Sequence, residues 1–160
     1  MALEPEITVQ PPLLDRLVDL DRTAAADPPQ SRSAAVRALR DAIRRDLEWL
    51  LNTRQTSRDI PKPFTLLRES VFNYGLPDIT SISLRTKPDA DNLLAALEQT
   101  IARFEPRLAE IKVFAREPFS RLERTLHFHV EALLLVDPAP EAIVFDTILK
   151  VDRGTCEVKV

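Results

Sequence analysis

Asp89 to Arg116, DADNLLAALEQTIARFEPRLAEIKVFAR, contains a change of period that decides the fold. In its first half Leu93, Leu94, Leu97, Ile101 and Phe104 recur at helical spacing, behind a candidate N-cap at Asp89 or Asp91. In its second half Ile111, Val113 and Ala115 alternate with Lys112, Phe114 and Arg116, which is strand spacing. The switch falls on Glu105-Pro106-Arg107. Proline disfavours α geometry in the preceding residue, so Glu105 is the last helical residue or already extended. Pro106 lacks an N–H and fixes its own φ, which makes the corner stiff. An acid and a base therefore flank a rigid elbow. Read alone, the three residues are a helix stop with solvated charges; the alternative is an ion couple held out to a partner.

Working outward, the downstream pattern is a sheet. Leu126, Phe128, Val130, Ala132, Leu134 and Val136 alternate with Thr125, His127, His129 and Glu131 along a second strand, which Asp137-Pro138-Ala139-Pro140 breaks. Ile143, Phe145, Thr147, Leu149 and Val151 share one face of a third. Asp152-Arg153-Gly154-Thr155 predicts a tight turn into a last strand, Cys156 to Val160. Short links between successive strands imply an antiparallel meander.

Upstream, Ser33 can cap a helix reaching about Asn52, with Val36, Leu39, Ile43, Leu47, Leu50 and Leu51 on its apolar face and Trp49 toward the flank. Thr53 to Pro63 reads as a loop. Leu66, Leu67, Val71 and Phe72 suggest a short helix ended by Gly75, which is suited to positive φ, and Pro77. The spacing does not choose a structure for Ile79 to Leu84. Residues 1–32 form a proline-rich flexible segment carrying a short helix, with Leu13, Leu14, Leu17 and Val18 on one stripe. So short a helix must dock on the body or on a partner to persist. Residues 33–160 form the domain. The expected class is α+β, with two or three helices packed on one face of an antiparallel meander of about four strands.

Composition narrows the function classes. Lys and Arg total 22 against 25 Asp and Glu, a net charge of −3, so broad binding to a nucleic-acid backbone is not expected. Gly75 and Gly154 are the only 2 glycines, which excludes a glycine-rich phosphate loop. With 1 cysteine, Cys156, there is neither an internal disulfide nor a Cys-based zinc site. Met1-Ala2-Leu3-Glu4-Pro5-Glu6 lacks the basic start and apolar run of a signal peptide, and no apolar run approaches the roughly 20 residues of a membrane span. The expected setting is the cytoplasm.

Four stretches together resemble a known family. They are Leu13-Leu14-Asp15-Arg16-Leu17; Arg45 to Arg54 (RDLEWLLNTR); Ser70 to Asp78 (SVFNYGLPD); and the Phe104-to-Leu108 elbow. From about Leu13 to Val160 the chain resembles the TssE family of type VI secretion baseplate-wedge proteins. That family is similar to the phage-tail wedge component once labelled an acidic lysozyme. The resemblance implies a structural protein without cofactor or catalytic residues, assembled in the cytoplasm into the baseplate near the inner membrane. It implies that Glu105, Pro106 and Arg107 contact the wedge core (TssF, TssG, possibly TssK). It further implies that the sheet templates the sheath pair TssB and TssC by strand exchange, with no nucleic-acid partner and no membrane insertion. Cys156, Glu157, Val158, Lys159 and Val160 are the candidate sheath-facing edge strand.

The residues fit attachment on their own terms. Arg107 offers a planar fork for a partner carboxylate, and Glu105 can accept from a partner. Charge reversal at Arg107 is expected to leave the fold intact and abolish wedge binding. An open sheet edge can be satisfied by an incoming strand, although Glu157 and Lys159 could equally be gatekeepers against pairing.

Three other readings stand beside this one. A regulatory binding module of anti-adaptor type could use the same fold. A lysozyme-like hydrolase needs a second, well-placed acid, which no residue supplies, and Arg107 would hold Glu105 in the wrong ionisation state for a general acid. His127, His129 and Glu131 share a strand face and could in principle ligate a metal. Outward polar positions on a half-buried strand explain them as well, and no supporting groups are apparent.

Overall fold

The computed structural model describes residues 9–18, 31–56, 60–61, 63–78, 87–116, 125–151 and 153–159. Helix α1 spans Leu13–Leu17, α2 Arg32–Asn52, α3 Thr65–Glu69 (followed by a 3-10 turn, Val71–Asn73) and α4 Lys87–Phe104. Strands β1 (Leu108–Ala115), β2 (Thr125–Leu134), β3 (Glu141–Lys150) and β4 (Thr155–Lys159) form an antiparallel sheet in the order β1-β2-β3-β4. This is the expected α+β meander.

Two helices make the second layer. On α2 the stripe Val36, Leu39, Ile43, Leu47, Leu50 and Leu51 is buried, each side chain contributing about 1.5–3 kcal/mol on leaving water. Leu93, Leu97 and Ile101 do the same for α4. Facing them is one pleat of the sheet, with Leu126, Phe128, Val130, Ala132 and Leu134 from β2 and Ile143, Phe145, Thr147 and Leu149 from β3. The strict alternation of burial on β2 and β3 is the period-2 pattern of the sequence made solid.

Several boundaries differ from expectation. The α2 cap is Ser31, whose Oγ accepts from the Ala34 N–H at 3.3 Å, rather than Ser33. Helix α4 begins at Lys87 and places Asp89 in its first turn. Strand β1 carries a bulge: register shifts between Ala109 and Lys112, and Glu110 sits at φ 51°. Helix α3 has no buried residue, and Leu66 and Val71 are 82% and 86% exposed, so this apolar run contributes nothing to the core. Gly75 has φ 106°, and a side chain there would overlap the Thr53 carbonyl. The close approach at Gly75 lets Leu76 donate to Thr53 O at 2.8 Å and tie this loop to the end of α2. Ile79 to Leu84, residues 19–30, Asp152 and Val160 lie outside the described residues.

Candidate functional site

The elbow forms because α4 runs out of helix at Phe104. Glu105 N–H makes the last helical bond, to Ile101 O at 2.8 Å, and Leu108 N–H closes the turn onto Glu105 O at 3.2 Å. Pro106 between them is exposed. Glu105 is not: its residue exposure is 4%. Arg107 Nε donates to Glu105 Oε1 at 2.5 Å, and Nη2 donates both to Glu105 Oε2 and to Asp46 Oδ2, the latter at 2.7 Å. Asp46 Oδ1 in turn accepts from Arg45 Nη2 at 3.2 Å. Arg45 also forks onto Asp15 of α1, at 2.7 and 3.3 Å. One relay of three acids and two bases thus runs from α1 across α2 to the corner.

Its electrostatics follow from that arrangement. Burial works against the Arg107 charge, but its hydrogen bonds to Glu105 and Asp46 outweigh it and hold the guanidinium above its ordinary range. Arg45 is raised as well, chiefly by its hydrogen bond to Asp15. Tyr74, edge-on to Phe104 at 5.3 Å, has its phenol pushed up by burial and then by the negative charge of Asp46 and Glu105.

The expected presentation of Glu105 and Arg107 as an unsatisfied couple is corrected here. In the isolated chain they are each other's partners, and Asp46 completes the set. Charge reversal at Arg107 would set a third carboxylate against Glu105 and Asp46, so it cannot be expected to spare the fold. The outer side of Arg107, whose side chain is 27% exposed, lines an open cavity of about 430 Å³ with Val9, Pro12, Leu39 and Val136.

The β4 edge is also closed. In an antiparallel edge strand, alternate residues turn their N–H and C=O away from the sheet. At Cys156 both are taken by one side chain: Cys156 N–H donates to Asn52 Oδ1 and Asn52 Nδ2 to Cys156 O, each at 2.8 Å. Two residues to either side, Arg54 Nη2 donates to Gly154 O and Arg44 Nη1 to Val158 O, the latter at 3.5 Å. Across the sheet, the β1 edge receives Glu98 of α4, which accepts from Val113 N–H at 3.3 Å. The row expected to be open along Cys156 to Val160 is therefore partly occupied, by Arg44 and Asn52 of α2 and by Arg54 just beyond it.

Glu157 and Lys159 are exposed and pair with each other at 3.2 Å. The Cys156 thiol faces the core, 5% exposed, and burial first, then Glu48, push its pKa up from 9.0 to about 12. It is a packing group, not a nucleophile. On the outer sheet face His129 Nε2 lies 3.4 Å from Glu131 Oε1 and its ring 5.4 Å from that of Phe114. Among the described residues no group of three or more His, Cys, Asp or Glu gathers to hold a metal. Nor is any described helix long and apolar enough to cross a membrane.

Sequence reasoning located the corner and the last strand but missed what closes them: Asp15, Arg45 and Asp46 at one, Arg44, Asn52 and Arg54 at the other. Most of these stand in or beside the run Arg45 to Arg54, a signal that marked the run without assigning its polar members a task.

The family described as baseplate wedge protein gp25 matches residues 37–139, more than half of the chain. Among solved structures, a chain of "The baseplate complex from the type VI secretion system" is similar, with a TM-score of 0.49 and 20% identity. That match covers 69% of this chain and 93% of that one. No curated protein matches the sequence.

Proposed function

The chain belongs to the baseplate wedge protein gp25 family, and from that premise we propose that it is the wedge subunit of a type VI secretion baseplate, working by attachment and not by catalysis. The observation that carries this reading is the elbow, which lies inside the matched segment and is held rigid by Glu105, Arg107 and Asp46. A corner already fixed in the free protein loses little entropy when a partner closes on it.

On this reading the wedge core, TssF and TssG with TssK alongside, meets the exposed Pro106 and the outer side of Arg107. Glu105 acts from behind, orienting the guanidinium. The sheet, through β4, takes a strand of the sheath pair TssB–TssC and so starts the first sheath ring, on the cytoplasmic side of the inner membrane. Glu105 is badly placed for a general acid, since its carboxylate faces inward with both oxygens on Arg107.

The test is co-purification with TssF and TssG. Pro106→Glu changes an exposed position and leaves every member of the ion relay in place, and should give a folded protein that loses both partners. Undiminished recovery of the pair by this variant would move the wedge contact away from the elbow.

A further inference from the structure

Asn52 satisfies β4 in the way a neighbouring strand would. A hydrogen-bonded antiparallel pair exchanges one N–H and one C=O between two residues, and the Asn52 amide offers Cys156 that same donor and acceptor, at 2.8 Å each. Its second amide hydrogen goes back to Glu48 O at 2.7 Å, so the side chain is held at three points. Arg54 and Arg44 continue the imitation at Gly154 and Val158, giving contacts at every second residue along the edge.

None of this is needed to bury α2, whose neighbouring Leu50 and Leu51 are 2% and 0% exposed. Asn52 itself remains solvent-exposed. Its two bonds to the strand are partly buried, and each contributes about 0.5–1.5 kcal/mol net.

We propose that Asn52 is a latch on the β4 edge: it keeps the free subunit from pairing edge to edge, and an extended segment of a partner protein gains the edge by displacing it. Arg44 and Arg54 are secondary catches on the same row. The latch is strong enough to mask the backbone and weak enough to yield to a strand that supplies several main-chain hydrogen bonds at once. This inference rests on the reading of β4 as the strand-accepting edge, and it identifies what an incoming strand must replace.

Two measurements on the full chain separate the inference from the reading beneath it. In amide hydrogen exchange, Asn52→Ala should speed the Cys156 amide by about two- to tenfold, from the loss of a bond of this class, while the amides of β2 stay unchanged. Asn52→Asp keeps the acceptor and should leave the Cys156 amide near its wild-type rate. An unchanged Cys156 amide in Asn52→Ala would overturn the latch, and so would faster exchange spread through β2 and β3, since Asn52 would then be an ordinary structural residue.

The second measurement is capture of the purified sheath pair TssB–TssC. Asn52→Ala and Asn52→Asp should both capture it faster than wild type. If the Cys156 amide accelerates but the variants capture the pair at the wild-type rate, the latch falls and the sheath reading of β4 stands; if neither wild type nor variants capture the pair, the sheath reading falls and the latch with it.

Discussion

The elbow and the β4 edge are both closed by the chain's own side chains, and they are closed with very different strength. At the elbow a carboxylate with 5% side-chain exposure is gripped twice by a guanidinium that also holds Asp46. At the edge an exposed neutral amide and two arginines shield three carbonyls and one N–H. Ionised hydrogen-bond partners out of water are costly to separate, whereas a neutral amide at the surface is exchanged readily. The difference is one of strength: one region is a corner held by buried charges, the other an edge covered by a neutral amide and two partly exposed arginines.

The strongest way to break this contrast is to remove Arg107. Arg107→Ala strands the Glu105 carboxylate in a buried site and leaves Asp46 short of a partner, so unfolding in urea should show a loss of about 3–5 kcal/mol. Glu105→Gln removes one charge and leaves Arg107 its bond to Asp46 and its access to solvent, so the cost should be smaller, about 1–3 kcal/mol. Asn52→Ala at the edge should cost less than Arg107→Ala, about 1–3 kcal/mol for its two bonds to Cys156. An Arg107→Ala protein as stable as wild type would mean that the elbow owes its rigidity to Pro106 alone.

The same contrast explains what could be read from sequence. The buried faces of α2, β2 and β3 were legible because each follows from a local period: Ile43, Leu47 and Leu51 at helical spacing, Phe128, Val130 and Ala132 at strand spacing. The position of the corner was legible for the same reason, since Pro106 restricts its own residue and the one before it. Its state was not. Arg107 and Asp46 are 61 residues apart, and Asn52 and Cys156 are 104 apart, so neither closure leaves a local trace. A charge within a helix stop looks solvated until the distant partner that buries it is known. The bulge at Glu110 escaped because no glycine or asparagine marks its positive φ. The outward-facing apolar run of α3 escaped because spacing reports amphipathicity and not what lies opposite.

Alkaline pH sharpens the comparison. The thiol of Cys156, on the strand that Asn52 latches, is held protonated to about 12 against an ordinary 9.0. A group that ionises later in the folded state than in the unfolded state gives stability that is complete below the unfolded pKa and lost as pH climbs past it. Between pH 9 and 12 the unfolded chain ionises and the folded chain resists, so stability should fall by about 2–3 kcal/mol by pH 11 from this group alone. Cys156→Ala should start somewhat lower at pH 7 and show a shallower decline, read as the difference in slope of unfolding free energy against pH. Equal slopes would mean that the thiol reaches water in the folded state. The Arg107 guanidinium, already above its ordinary range, keeps its charge throughout this window.

The smallest effect belongs to the far end of the relay. Asp15 is the only residue of α1 that holds an ion pair with the body among the described residues, through the two Arg45 bonds. Leu13 and Leu17 meanwhile stand 69% and 72% exposed. The pair is partly exposed, 33% on Arg45 and 26% on Asp15, so its loss should cost global stability no more than about 1 kcal/mol. A five-residue helix cannot persist unaided, however. Asp15→Asn should therefore leave the unfolding midpoint almost unchanged while the amides at 16–18 lose their protection from exchange. If those amides stay protected, α1 is held by Val9 and Pro12 against the cavity beside Arg107, and the relay ends at Arg45. If they exchange freely, a single carboxylate decides whether the apolar stripe of α1 is displayed as a helix beside the elbow.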